Sequence, residues 1–234
     1  LGLVGISTYG HDIAGYQSAN NPGSTKELFF RWTSFGAWSP VMRTHHGNQP
    51  DKEWSWEKDA ETIAHFKRYT ELHMSLVPTL QGLARVAADT GAPMFRGLAV
   101  EFPEDAAVWP ITDQIMLGDG LLIAPVITAG ANSREVYFPE GYWYPWAGGG
   151  RIVGGSTAPV PAPMEDIPVF ARAGAVIPTY PPGVMTLVRE GVEVPGPSLV
   201  GDDRVVYVFI GADGPFGPLS MTRRKQNGES LGAP

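Results

Sequence analysis

The chain has 234 residues, with 24 acidic against 17 basic side chains and a formal net charge of −7. That balance leaves no basic excess to neutralise phosphates, which argues against nucleic acid or an anionic membrane surface as the main partner. A mean hydropathy of −0.08, and no apolar run near the length of about 18 residues that a spanning helix needs, exclude a transmembrane helix. The absence of cysteine removes a disulfide framework, a thiol nucleophile and a zinc ribbon.

Leu1 to Thr8 is almost wholly apolar and predicts a parallel strand buried on both faces. Because the chain opens on Leu1 inside that strand, it is expected to be a piece of a longer protein. The strand runs into Tyr9-Gly10-His11-Asp12, a polar cluster at the end where parallel α/β folds bind ligands. Lys26 to Trp38 places Leu28, Phe29, Trp32, Phe35 and Trp38 near a helical period, and Pro40 ends it. Val41-Met42 then leads into a second polar cluster, Arg43-Thr44-His45-His46-Gly47. Asp59 to Val77 predicts a helix with a stripe of Ile63, Phe66, Tyr69, Leu72 and Leu76. Pro78 restarts that helix and Gly91 closes it.

The grammar changes at Pro93. Met94–Phe102, Gln114–Ile127, Glu135–Phe138, Tyr142–Trp146, Val169–Ile177 and Val205–Ile210 predict strands between glycine and proline turns, with no helix among them. The fold class is therefore α/β plus all-β, a Greek-key β-sandwich appended to the end of an α/β barrel. The residues after Gly211, with no apolar period, predict a disordered tail.

A carboxylate, a guanidinium and an imidazole from the two strand ends (Asp12, Arg43, His45) can alternate as acceptors and donors to sugar hydroxyls, with His11 beside them. Trp32, Trp38, Trp54 and Trp56 offer ring faces to a pyranose. The plainer reading, that Asp12 caps a turn, Arg43 pairs with an acid and the tryptophans are core, carries more weight on spacing alone. Adjacent His45 and His46 point to opposite faces of an extended chain, so a metal is not the better reading. Ser7, Ser18 and Ser39 lack a nucleophile-elbow context, and Gly148-Gly149-Gly150 is a turn rather than a phosphate loop. The carboxylates of the barrel-like part are Asp12, Asp51, Glu53, Glu57, Asp59 and Glu61. The last five lie in a hydrophilic loop and a helix start, as a solvated surface would, so no catalytic pair can be assembled.

Gly10-His11-Asp12-Ile13-Ala14-Gly15-Tyr16, Glu27-Leu28-Phe29-Phe30-Arg31-Trp32 and Ser39-Pro40-Val41-Met42-Arg43-Thr44-His45 together resemble glycoside hydrolase family 31. That family groups α-glucosidases, α-xylosidases and sulfoquinovosidases. Gly91-Ala92-Pro93-Met94-Phe95-Arg96, Asp113 to Gly118, Leu121 to Val126, Tyr137-Phe138-Pro139 and Ile167 to Pro178 continue the resemblance in the family's order, over roughly residues 1–210.

The resemblance implies that residues 1–91 are the last two βα units of a (β/α)8 TIM barrel. Residues 92–178 would be a proximal C-terminal β-sandwich, 179–210 the start of a distal β-domain and 211–234 a disordered tail. It further implies a retaining, exo-acting α-glycoside hydrolase using two carboxyl groups about 5 Å apart. Both of those aspartates would lie upstream, so no catalytic residue is expected here and the isolated chain is expected to show no turnover. By the same resemblance Asp12, Arg43 and His45 hold the non-reducing-end sugar. The substrate would be a small-molecule or oligosaccharide α-glycoside, and no cofactor is implied. Tyr16 stands where the family often has Phe. A tyrosine at this place helps bind the sulfonate in sulfoquinovosidases, which brings sulfoquinovosidase close behind; an α-glucosidase-like activity comes first on the breadth of the family. A non-catalytic carbohydrate-binding sandwich, or an inactive fragment, is the reading of another class.

Overall fold

The computed structural model describes residues 1–17, 22–45, 47, 50–187, 196, 201, 203–210 and 220–221. Two βα units come first. Strand β1 (Gly10–Asp12) leads to helix α1 (Lys26–Gly36), and strand β2 (Val41–Arg43) leads to α2 (Ala60–Ser75) and α3 (Val77–Thr90). β1 and β2 pair in parallel, with Gly10 opposite Val41, His11 opposite Met42 and Asp12 opposite Arg43. This is the strand–helix–strand arrangement the sequence predicts.

Local chemistry sets the helix ends. Thr25 caps α1 by accepting the Leu28 N–H at 3.2 Å, and Asp59 caps α2 by accepting the Thr62 N–H at 2.7 Å. α3 restarts at Pro78, which has no N–H to leave unpaired in a first turn. It closes at Gly91, whose φ of 78° a side chain would strain. Lys26 ties the two helix starts together, 2.9 Å from Asp59 and 2.5 Å from Glu61.

The strand predicted over Leu1–Thr8 is not formed. Gly2–Val4 make one 3-10 turn, and the strand starts only at Gly10. Among the described residues no strand pairs with the segment, so its backbone bonds close on themselves: Val4 N–H to Leu1 O at 3.1 Å and Ile6 N–H to Leu1 O at 3.3 Å. Leu3 and Val4 are three-quarters exposed. The stripe on α2 is also shifted, because Ile63 is exposed while Thr62 and His65 are buried.

From Phe95 onward the pairing is antiparallel. β3 (Phe95–Gly97), β4 (Ile115–Leu117), β5 (Leu121–Ile123), β7 (Tyr142–Pro145), β8 (Ile152–Val153) and β10 (Val169–Arg172) form a six-stranded sheet in the order β3-β4-β5-β10-β7-β8. β6 (Ser133–Phe138) pairs with β9 (Ser156–Pro161). β11 (Val176–Thr179), β12 (Val205–Val208) and β13 (Ser220–Met221) make a third sheet. β10 returns from far along the chain to lie between β5 and β7, a Greek-key connection.

Several predicted strands are shorter or divided. Met94–Phe102 becomes β3 followed by a one-turn helix, α4 (Leu98–Glu101), because Arg96 reaches Glu101 at 2.5 Å and folds the chain back on itself. Gln114–Ile127 splits into β4 and β5, and Val169–Ile177 into β10 and β11, each at a glycine-containing turn. β9 lies in a stretch with no predicted strand. It carries Pro159 and Pro161 and has β6 as its one partner among the described residues, so the missing N–H groups cost it little. Of the predicted tail, only Ser220–Met221 are described, paired with Val208 and Tyr207; the remainder lies outside the described residues.

The six-stranded sheet is buried on both faces. Met116, Leu122, Trp143 and Phe170 face Val136 and Phe138 on the β6–β9 side. Leu117, Leu121, Ile123 and Val169 face Trp38 just after α1, Leu76 at the joint of α2 and α3, and Leu80 on α3. Two buried faces explain why Leu121-Leu122-Ile123-Ala124 is a continuous apolar run rather than an alternating one. Barrel-like part and sandwich thus share one core, with a second tie at α1. There Arg31, 8% exposed, binds Glu27 at 2.8 Å and donates to the carbonyls of Ala162 (3.4 Å) and Ala131, while Glu27 accepts the Gly130 N–H at 2.9 Å.

Candidate functional site

The parallel register alone brings Asp12 and Arg43 to the same level at the C-terminal ends of β1 and β2. Gly10 makes the close approach possible. A Cβ there would sit 2.6 Å from the Val41 carbonyl oxygen and 2.7 Å from the Val41 Cβ. After Asp12 the fully buried Ile13 donates its N–H to Arg43 O at 3.1 Å, and Gly15 N–H returns to Asp12 O at 2.8 Å. Ala14 takes φ 67°, a conformation that side chains seldom adopt, and the turn it makes delivers Tyr16. Tyr16 is then held by its carbonyl, which accepts the Gly47 N–H at 2.6 Å.

These residues converge. Arg43 Nε lies 2.7 Å from Asp12 Oδ1, and an Arg43 terminal nitrogen donates to His45 Nδ1. A guanidinium can only donate, so His45 Nδ1 is the acceptor and the ring proton sits on Nε2. His45 Nδ1 is 3.7 Å from Asp12 Oδ2, and the His45 and Tyr16 rings pack 4.9 Å apart. All four residues reach solvent, with Tyr16 45% exposed. The arrangement presents a carboxylate oxygen, guanidinium donors, an imidazole N–H and a phenol with an open ring face. It can hold several hydroxyls of one sugar, and it contains no pair of carboxyl groups placed to break a bond.

His11 does not join this group. Neighbouring residues on a strand leave opposite faces, so His11 points toward α1. Its Nδ1 accepts the Trp32 indole N–H at 2.7 Å, and its ring stacks on Phe35 at 4.9 Å and 9°. Burial pushes its pKa down, as it does for His65 and His73. The tryptophans also divide. Trp38 is buried in the core, Trp32 holds His11 and Trp54 donates to Thr62 at 3.2 Å, so of these rings Trp56 alone is exposed. Glu53, placed on a solvated loop by the sequence, is 2% exposed. Asp59, held down to about 2 by the Thr62 N–H and then by Lys26, is a helix cap rather than a catalytic group.

The profile of the Glycosyl hydrolases family 31 TIM-barrel domain matches residues 1–83, and that of the Glycosyl hydrolase family 31 C-terminal domain matches residues 91–177. The chain belongs to glycoside hydrolase family 31. It is 37% identical over 174 residues to the sulfoquinovosidase of Escherichia coli K12, covering 74% of this chain and 25% of that protein. It is 33% identical over 179 residues to alpha-glucosidase 2 of Bacillus thermoamyloliquefaciens, covering 76% of this chain and 22% of the relative. The cycloalternan-forming enzyme of Listeria monocytogenes, solved in complex with a pentasaccharide substrate, superposes with a TM-score of 0.76 at 30% identity, over 94% of this chain and 22% of that one. This family 31 chain therefore spans about a quarter of the length of these two curated relatives.

Proposed function

We propose that this family 31 chain supplies the non-reducing-end sugar subsite of a retaining, exo-acting α-glycoside hydrolase of α-glucosidase type. The observation that carries the reading is the Asp12–Arg43 pair across the ends of two adjacent parallel strands, with His45 completing it. Asp12 accepts from sugar hydroxyls, while Arg43 and His45 Nε2–H donate. Tyr16 covers the ring. None of the four breaks a bond. Their effect on rate is through orientation and through hydrogen bonds that tighten as the sugar flattens toward the transition state. We keep residues 1–91 as barrel, 92–178 as proximal sandwich and 179–210 as the start of a distal β-domain.

Sulfoquinovosidase is the second reading, and the exposed Tyr16 beside His45 favours it. The test compares the affinities of methyl α-D-glucopyranoside and methyl α-sulfoquinovoside for the chain, with wild type and Tyr16→Phe side by side. An α-glucosidase subsite binds the glucoside, and Tyr16→Phe leaves that affinity within about twofold. A subsite for sulfoquinovose prefers the sulfonated sugar and loses on the order of tenfold when the single hydroxyl is removed. Binding of neither sugar refutes both readings and leaves the inactive-fragment alternative.

A further inference from the structure

We propose that Trp32 and His11 are positioning residues that hold the Asp12–Arg43 pair in its geometry, by locking β1 to α1. The inference rests on the reading of Asp12 as a sugar-holding residue. It concerns two side chains that touch no substrate.

β1 is three residues long and pairs with one strand among the described residues, so little in the ladder fixes its twist or axial position. Asp12 can hold a fixed place opposite Arg43 only if something on the other face of β1 is fixed too. His11 is that something. An indole N–H only donates, so the 2.7 Å contact from Trp32 makes His11 Nδ1 the acceptor and leaves the ring proton on Nε2. Nε2 is buried and has no hydrogen-bond partner among the described residues. An apolar ring would fill this space without leaving a donor unpaired, so packing alone does not account for an imidazole here. What the imidazole adds is one directional bond between strand and helix.

The helix end of that bond is itself braced. Phe35 stacks flat on the same imidazole, and a Cβ on Gly36 would lie 3.5 Å from His11 Cε1, so α1 runs close against β1. Arg31, the residue before Trp32, is pinned to the sandwich through the carbonyls of Ala131 and Ala162. The order of attachment runs from sandwich to Arg31, along α1 to Trp32, across to His11 and along one peptide unit to Asp12. A carboxylate held from both sides meets a sugar without reorganising first.

The test uses Trp32→Phe, which keeps an aromatic ring and deletes the N–H. It reads the Arg43 Nε–H resonance in proton–nitrogen NMR, a direct report on the 2.7 Å contact to Asp12. Trp38→Phe is the control, because its indole nitrogen is buried in the shared core with no hydrogen-bond partner among the described residues. The positioning role predicts that Trp32→Phe shifts or broadens the Arg43 signal and weakens methyl α-D-glucopyranoside binding by on the order of tenfold, while Trp38→Phe leaves the signal in place. An unchanged Arg43 signal in Trp32→Phe, or an equal change in Trp38→Phe, overturns it. Should Trp32→Phe fail to fold, His11→Phe keeps the stack on Phe35, removes the acceptor and is judged by the same signal. A wild-type chain that binds no sugar refutes the functional reading, and the Arg43 signal still decides the lock.

Discussion

Arg43 Nε and Asp12 Oδ1 stand 2.7 Å apart at the ends of two adjacent parallel strands, and both side chains remain open to solvent. A half-exposed pair of this kind contributes little to stability, about 1 kcal/mol or less, because water screens both charges. Arg43→Met is therefore expected to lower the unfolding free energy by no more than about 1 kcal/mol while reducing sugar affinity by a factor of roughly ten. Urea unfolding alongside a binding titration checks both halves. A large loss of stability with intact binding would make the pair structural.

Gly10 is where the fold and the site meet. Replacing it with alanine puts a methyl 2.6 Å from the Val41 carbonyl oxygen, so β1 and β2 must separate. Overpacking of this kind costs roughly 1–3 kcal/mol. Gly10→Ala is expected to destabilise within that range and also to break the Asp12–Arg43 contact, seen as a lost Arg43 Nε–H signal. Wild-type stability in the Gly10→Ala variant would show that the strands have room to spare.

Arg31 gives a different balance. Its guanidinium is buried, pairs with Glu27 and satisfies two sandwich carbonyls. Arg31→Met strands those carbonyls and leaves Glu27 without its cation, which costs roughly 3 kcal/mol. Glu27→Gln, which keeps an acceptor for Gly130, is expected to cost less. Equal losses in the two variants, measured by urea unfolding, would contradict this ranking.

Acid acts in two steps. Burial lowers the pKa of His11, His65 and His73 below the ordinary 6.5, and His65 and His73 donate to the backbone carbonyls of Phe30 and Ala37. The unfolded chain binds more protons than the folded one in that window, so stability falls as pH drops through 6.5 and keeps falling until the folded values are passed. Asp59, lowered from 3.8 to about 2 by the Thr62 N–H and Lys26, adds stability above 3.8 that is lost between about 4 and 2. Melting temperatures from about pH 8 to about pH 2 are expected to show both declines. Replacing His65 with Gln should flatten the upper one.

The helices and Arg43-x-His45 are legible in the sequence because their signals are local. Caps at Asp59, Pro78 and Gly91 and a helical period of about 3.6 residues mark α2 and α3, and residues two apart on an extended chain share a face. The strand expected at Leu1–Thr8 fails because a strand exists only where another backbone accepts it, which no apolar run can announce. β9 escapes notice because its prolines imitate a loop. His11 falls beside Asp12 by adjacency, although strand alternation separates them. Its partner Trp32, 21 residues on, carries no motif that links the two. Tyr16 meets His45 through a turn at Ala14 and the Gly47 contact, both tertiary features.

The most direct measurement is to titrate the nitrogen-labelled chain with methyl α-D-glucopyranoside and map the shift changes. A sugar subsite at the strand ends predicts saturable changes centred on Asp12, Tyr16, Arg43 and His45, abolished by Asp12→Asn. Saturable changes located elsewhere, or unaltered by Asp12→Asn, would contradict it.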